Sequence, residues 1–343
     1  MATAGDDHGA GSEARPPLDA DTAEMLAALA ALGAPGLSEG TVERARANYN
    51  AAPKPPRETL PRVEDRVIPG NGHGHAGAGA GGGHDEIPVR VYATTVTPQE
   101  QDGSSALLPI VVFFHGGGWV LSNIEGHDST ARRIAARSGA LVVSVDYRLA
   151  PESPFPAPHD DCFAATAWLA VHGKEWGGDR SRIAVCGDSA GGNLAAGVAL
   201  RARDEGIKLV LQVLIYPCID DRQSDYPSMT ENAAGYLLRA VDMVWFWNHF
   251  VPTEESRNDP RAVPARASNL AGVAPAFVQT ADYDPLRDEA ERYAERMAAD
   301  GVPVKLVRYP GVIHGFMSRW HKIARAEVAH DDLAAALRAA FDA

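Results

Sequence analysis

Residues 182–200 constrain the fold more tightly than any other stretch. Arg182-Ile183-Ala184-Val185-Cys186 is an apolar, partly β-branched run that reads as a buried strand. It breaks at Gly187, and the small residues from Ala190 to Leu200 read as a helix. At the junction stands Gly187-Asp188-Ser189-Ala190-Gly191-Gly192, a Gly-x-Ser-x-Gly elbow. Such a turn forces its serine into a strained backbone conformation and crowds the positions two before and two after it, so both call for glycine. The Ser189 hydroxyl then stands clear of a sheet, at the positive end of a helix, where an oxyanion is favoured. The plainer role for such a serine is to cap the helix.

Beyond the elbow the chain alternates strand and helix. Apolar strands are expected at 110–114, 141–145, 182–186, 209–216, 276–280 and 304–309, and helices at about 128–137, 159–171, 190–204, 286–299 and 322–341. Near-continuous apolar strands separated by amphipathic helices imply an α/β fold whose mostly parallel sheet is covered on both faces. Two earlier strands, 62–68 and 87–94, bring the count to eight. With 343 residues, 45% of them hydrophobic, the chain can bury one large core. Residues 1–16 are polar and Gly-rich and read as a disordered tail, and 56–343 as the main domain. Residues 17–55 carry two helices, 19–32 and 38–49, that no sheet requires, so they are candidates for a cap. Residues 220–264 interrupt the alternation and are a second cap candidate; Trp245-Phe246-Trp247 is expected to pack this segment onto the body in preference to lining a pocket. The Gly/His-rich stretch 71–84 reads as a flexible hairpin tip, its His73, His75 and His84 too loosely held for a metal site, and 98–105 as another loose loop.

A serine hydroxyl needs a base to become nucleophilic, and the base needs an orienting acid. In a parallel sheet these groups follow the carboxyl ends of later strands, in the order Ser, Asp/Glu, His. Of twelve histidines, His314 alone sits in a turn after the last strand, Pro310-Gly311-Val312-Ile313-His314-Gly315-Phe316. His8 and the three of 71–84 lie in loose segments; His127, His159, His172 and His249 precede the acid or fall in helices; His321 and His330 are assigned to the terminal helix. Asp282, Asp284 and Asp288 all follow the strand at 276–280. Pro285 suits the first position of a helix, which makes Asp284 also a natural N-cap. Spacing leaves Asp282 and Asp284 both open. Asp288 and Glu289 fall one turn in, where they complement the helix dipole. Phe113-Phe114-His115-Gly116-Gly117-Gly118-Trp119 presents backbone N–H groups unobstructed by side chains, an oxyanion loop working with the N–H of Ala190. It lacks the Gly-Lys-Ser/Thr ending of a phosphate-binding loop.

With 32 basic and 45 acidic residues, net charge −13, the chain is not expected to bind nucleic acid or an anionic membrane. Cys162, Cys186 and Cys218 are too few and too scattered for a disulfide framework or a zinc site, and Cys186 is expected to be an inert core thiol. No charged-then-apolar leader or long apolar run is seen, so a cytoplasmic location is expected.

These motifs, with Asp146-Tyr147-Arg148-Leu149-Ala150-Pro151-Glu152, Phe155-Pro156-Ala157-Pro158 and Asp284-Pro285-Leu286-Arg287-Asp288-Glu289, resemble the hormone-sensitive-lipase family of α/β-hydrolases, the bacterial family IV carboxylesterases. The resemblance spans roughly residues 55–340. It implies an α/β-hydrolase fold with a helical cap, Ser189 as nucleophile, His314 as base, and Asp284 in preference to Asp282 as acid. Gly117, Gly118 and Ala190 would supply the oxyanion donors, with Gly116 allowing the approach. The implied reaction is hydrolysis of a small-molecule ester of short to medium chain through an acyl-enzyme, with no metal and no cofactor, and a homodimer through the last strand. Amide hydrolysis, deacetylation or lactone opening on the same triad is the alternative. The gibberellin receptors share the family's likeness but lack its histidine, whereas His314 is present here. Two features depart from the family: the length of 71–84, and His159, which stands where an apolar residue is usual.

Overall fold

In the strand Leu108–Phe114, Ile110, Val112 and Phe114 face one apolar cluster while Val111 and Phe113 face another, and all five are fully buried. This two-sided burial requires layers on both faces of the sheet. The structure is a computed structural model that describes residues 15–33, 35–70, 86–95 and 107–343. The expectations for 1–14, 71–84 and 98–105 lie outside the described residues.

Eight strands form one sheet: β1 (Arg62–Pro69), β2 (Glu86–Ala93), β3 (Leu108–Phe114), β4 (Leu141–Val145), β5 (Gly178–Asp188), β6 (Leu211–Ile215), β7 (Ala276–Tyr283) and β8 (Val304–Ile313). Their order is β1-β2-β4-β3-β5-β6-β7-β8. The β1–β2 and β2–β4 pairs are antiparallel and the other five pairs parallel. The helices are α1 (Ala20–Ala31), α2 (Val42–Ala51), α3 (Ile124–Ser138), α4 (Ala157–His172), α5 (Ala190–Asp204), α6 (Pro227–Glu231), α7 (Ala240–Phe250), α8 (Glu254–Asn258), α9 (Arg287–Ala299) and α10 (Ala324–Phe341). Ile134 of α3 and Leu333 and Leu337 of α10 pack on one face of the sheet. Leu169 of α4, Leu194 and Val198 of α5 and Met297 of α9 pack on the other.

The chain passes from β3 to β4 on one side of β3 and then to β5 on the other. This reversal opens a crevice beyond the carboxyl ends of β3 and β5, the place where such sheets bind ligands. The glycine loop leaves β3 there and the elbow leaves β5, with Phe114 and Gly187 paired in register. Further along the sheet a register shift in β7 sets Tyr283 opposite Ile313. The next residues are Asp284 and His314, so two adjacent strands end level and deliver the carboxylate and the imidazole side by side.

Several boundaries differ from the sequence expectation. β7 runs on to Tyr283, so Asp282 belongs to the strand and does not follow it. β8 continues through Pro310 and Gly311 to Ile313. α10 begins at Ala324, which leaves His321 before the helix and His330 within it. α9 begins at Arg287 with Leu286 as its cap, two residues beyond Pro285. α2 begins at Val42 because the Thr41 side chain accepts from the Arg44 amide. Ser38 instead bonds Asp242 of α7 through its amide and its hydroxyl, at 3.0 and 2.7 Å.

The elbow glycines are fixed by close approach. A Cβ on Gly187 would lie 2.1 Å from the Gly191 carbonyl oxygen, and one on Gly191 2.0 Å from that of Phe114. Both obstacles are backbone, so no rotamer change relieves them. Gly191→Ala is expected to destabilise the fold by about 3 kcal/mol or more, measured as a lowered urea midpoint at unchanged m-value.

Candidate active site

Ser189 adopts φ 56° and ψ −118°, a region that L-residues rarely occupy. Its amide donates to the Ile215 carbonyl at 2.8 Å, and its carbonyl accepts from Asn193 and Cys218 at 3.1 and 3.2 Å. The side chain makes no capping bond to α5. Its Oγ lies 2.9 Å from His314 Nε2 and 3.8 Å from Cys218 Sγ. Burial pushes the Cys218 thiol far up, so it stays protonated beside the serine.

His314 Nδ1 is 2.7 Å from Asp284 Oδ2. The other carboxylate oxygen, Oδ1, accepts from the Leu286 amide at 2.9 Å. Helix entry and imidazole binding, which compete for Asp284 when only spacing is considered, are thus served by different oxygens of one fully buried carboxylate. Asp282 turns elsewhere: Oδ2 accepts from the Gly311 amide at 3.4 Å, and Oδ1 is 4.0 Å from Arg308. Asp288 accepts from the Ser228 amide and pairs with Arg287. Glu289 departs from the expected dipole role. Burial raises its carboxyl well above the usual range, and Oε1 accepts from the Ile219 amide at 2.6 Å.

The amides of Gly117 and Gly118 donate to no backbone group among the described residues. Ala190, as the first residue of α5, has an amide free of the helix ladder. The ring of Phe246 covers Gly118, where an added Cβ would meet it at 2.1 Å. Trp119 stacks on Phe250 at 4.3 Å and meets Trp247 at 4.5 Å. In the aromatic segment of α7, Trp247 packs the helix onto the body, as expected, and Phe246 lies over the glycine loop. Ser189 and His314 are enclosed, 8% and 9% exposed.

One arrangement has no counterpart in the sequence reading. Ser122 Oγ lies 2.9 Å from His127 Nδ1, and His127 Nε2 lies 3.3 Å from Asp188 Oδ2. Asp188 Oδ1 in turn accepts from the Gly116 amide at 2.9 Å. The residue before the elbow serine thereby grips the glycine loop. Burial opposes the charge on Asp188, but His127 and the Gly116 amide outweigh it and hold the carboxyl below its ordinary range. His127 and Asp188 are 61 residues apart, and no spacing rule connects them. His115 stacks on Tyr147 at 4.3 Å, and the Tyr147 hydroxyl donates to the His115 carbonyl at 2.6 Å. His159 is fully buried; its Nδ1 lies 3.8 Å from Asp160 Oδ1, and neither ring nitrogen makes a hydrogen bond among the described residues. It stacks on Phe163 at 6.5 Å and its ring packs towards Gly197 of α5.

The sequence profile of the α/β-hydrolase fold matches residues 111–318. The chain belongs to the α/β-hydrolase family. Within it the relatives place the chain in the hormone-sensitive-lipase-like group of carboxylesterases. It is 42% identical over 285 residues to the carboxylesterase NlhH of Mycobacterium tuberculosis, covering 81% of this chain and 82% of that one. To the esterase LipI of the same organism it is 40% identical over 278 residues, 80% of this chain and 81% of the other. Among solved structures, a hyperthermophilic esterase of the archaeon Pyrobaculum calidifontis superposes with a TM-score of 0.81 at 38% identity, covering 94% of this chain and 98% of that one. A thermostable esterase from Pseudomonas putida gives 0.84 at 34% identity, covering 96% and 99%. Among the described residues no helix is long and apolar enough to cross a membrane, and no three His, Cys, Asp or Glu side chains cluster as metal ligands would.

Two buried imidazoles make this α/β-hydrolase sensitive to mild acid. Burial lowers His115, beneath the glycine loop, and His330, bonded to the Met317 carbonyl, from 6.5 to about 3. Both are neutral in the folded state and bind a proton once unfolded below about pH 6.5. The unfolded state then holds more protons, so stability falls as pH drops from about 6.5 towards 3, at up to about 1.4 kcal/mol per pH unit for each group. Urea denaturation at about pH 7 and about pH 5 measures this slope, and His330→Gln is expected to remove one group's share.

Proposed function

We propose that this chain is a serine carboxylesterase that hydrolyses short- to medium-chain esters through an acyl-enzyme. The observation that carries the reading is the unbroken line of contacts from Asp284 Oδ2 to His314 Nδ1 at 2.7 Å and from His314 Nε2 to Ser189 Oγ at 2.9 Å. A carboxylate accepting the Nδ1 proton leaves the Nε2 lone pair facing the serine hydroxyl. Ser189 Oγ attacks the ester carbonyl as Nε2 takes its proton, and Asp284 stabilises the imidazolium. The oxyanion rests on the amides of Gly117, Gly118 and Ala190. His314 then returns the proton to the leaving alcohol, and a water repeats the sequence on the acyl-serine. The low exposure of Ser189 and the Phe246 ring over Gly118 favour modest acyl chains. The ethyl acetate hydrolase of Pseudomonas putida, 37% identical over 243 residues, supports ester over amide chemistry. The outer edge of β8, where Leu306 is exposed, is the surface on which a second copy would add.

Ser189→Ala is expected to retain the fold and lose about 10³-fold or more in kcat. Labelling by a fluorophosphonate, mapped to the Ser189 peptide, is expected in the wild type alone; a folded wild-type chain that stays unlabelled would overturn the mechanism. Matched p-nitrophenyl esters and p-nitroanilides test the substrate class, with faster turnover of the anilides as the contrary result. Asp284→Asn separates the two duties of that side chain. With Oδ1 still available to the Leu286 amide, Tm is expected to stay near wild type while kcat falls by about 10³- to 10⁴-fold.

A further inference from the structure

A cavity of about 350 Å³ lies between the segment after β6, the turn Pro264–Arg266 and α9. That volume suits a small molecule, whose sites run from roughly 300 to 1,000 Å³. None of Ser189, Asp284, His314 and the glycine-loop residues borders it. Three residues that do border it each carry a buried polar atom with no hydrogen-bond partner among the described residues: Glu289 Oε2, the Tyr293 hydroxyl and Arg266 Nε. Glu289 is 0% and Tyr293 2% exposed. Buried polar atoms are ordinarily hydrogen-bonded, so three around one cavity point to a partner that enters it.

The charge on the walls decides the class of that partner. Four guanidinium groups border the cavity, those of Arg222, Arg266, Arg292 and Arg296, against the three carboxyl groups of Asp220, Asp225 and Glu289. Arg266 is paired with Asp220, and Arg296 donates to the carbonyls of Ala265 and Ala267. Among the described residues no carboxylate lies within ion-pair distance of Arg222, Arg292 or Arg296. Glu289 Oε1 accepts from the amides of Ile219 and Asp220 at 2.6 and 3.4 Å. Burial raises this carboxyl well above its usual range, and with Oε1 occupied the proton it keeps belongs on Oε2. In a chain of net charge −13, the recess is therefore cationic and holds unused N–H and O–H donors, the chemistry that recognises an oxyanion.

We propose that this cavity is a second binding site, for a compact oxyanion of the carboxylate or phosphate class, held by Arg266 Nε and the Tyr293 hydroxyl within and by the exposed Arg222 and Arg292 at its mouth. It is independent of the ester-hydrolysis reading above. The full chain is titrated calorimetrically with sodium phosphate, acetate and benzoate at constant ionic strength, with sodium chloride as the blank. At least one of the three is expected to saturate a single site per chain, and which of them does so separates phosphate from carboxylate. Tyr293→Phe removes a hydroxyl that has no partner in the fold, so Tm is expected to stay at or above that of the wild type. Affinity in that variant is expected to fall about tenfold, as for loss of a hydrogen bond to a charged group. Arg222→Gln combined with Arg292→Gln, two exposed changes, is expected to weaken binding about fivefold and to flatten its salt dependence. No heat beyond that of chloride, which would leave the cavity to water alone, overturns the proposal. So does saturable binding that is unchanged in both variants, which would place the anion elsewhere on the molecule.

Discussion

The site depends on how one buried carboxylate is used. Asp284 has no exposure to solvent, and a charge in that position is tolerable only if its oxygens are engaged. One oxygen takes the Leu286 amide and fixes where the chain turns towards α9; the other takes His314 Nδ1. The backbone carbonyl of the same residue accepts from Asn232 at 3.0 Å, which ties the turn to the segment following α6. Few degrees of freedom remain for the imidazole, because its own strand ends level with the one that carries the acid. Orientation of the base is therefore a property of sheet register, set by many ladder hydrogen bonds, and not of a single flexible loop.

The strain at Ser189 is held in place by a comparable excess of constraints. Its amide and carbonyl are both bonded, to β6 and to the segment after it, and the glycines on either side admit no Cβ. A backbone conformation of this kind costs on the order of 1–3 kcal/mol and persists only where its surroundings over-determine it. The Ser122, His127 and Asp188 chain extends that rigidity to the glycine loop. Ser189 and the glycine-loop amides are thereby positioned by adjacent atoms of the same short stretch, Asp188 through its side chain and Ser189 through its backbone. Donors fixed before reaction need no reorganisation as charge develops.

What was legible in the sequence divides along the same physical line. The elbow and the Gly116–Gly118 loop can be read directly, since a steric requirement for glycine leaves its mark at fixed offsets from the group it serves. The near-continuous apolar runs give the central strands β3 to β7, because burial on both faces permits little else there, whereas β1, β2 and β8 are partly exposed. Asp284 and Asp282 cannot be separated this way. The polar Asp282 interrupts the apolar run and makes β7 look three residues shorter than it is, hiding the register that decides between them. His127 leaves no local trace of its role, since Asp188 comes to it from another element. His159 illustrates the reverse case, a residue with functional chemistry that is packed in the core beside Phe163 and Asp160.

The termini of these loops are also braced from outside the sheet. The Asp19 amide donates to the Gly311 carbonyl at 2.8 Å, and the Tyr283 hydroxyl to the Pro16 carbonyl at 2.7 Å. Arg15 lies over the Tyr283 ring at 3.4 Å and donates to Asn232 at 2.9 Å. Gly311 precedes His314 by three residues, Tyr283 adjoins Asp284, and Asn232 holds the Asp284 carbonyl. These contacts of the 15–19 segment thus fall beside Asp284 and His314, while Asp19 also pairs with Arg325 of α10 at 3.0 Å. On the opposite side of the crevice Ser38 and Arg239 converge on Asp242 and fix α7, which carries Phe246 over Gly118. The N-terminal segment accordingly acts on the site twice, bracing the loops that end β7 and β8 through residues 15–19 and holding the aromatic roof through Ser38. Loss of either contact set would alter a different part of the site, the first the alignment of His314 with Asp284 and the second the packing of Phe246 over Gly118.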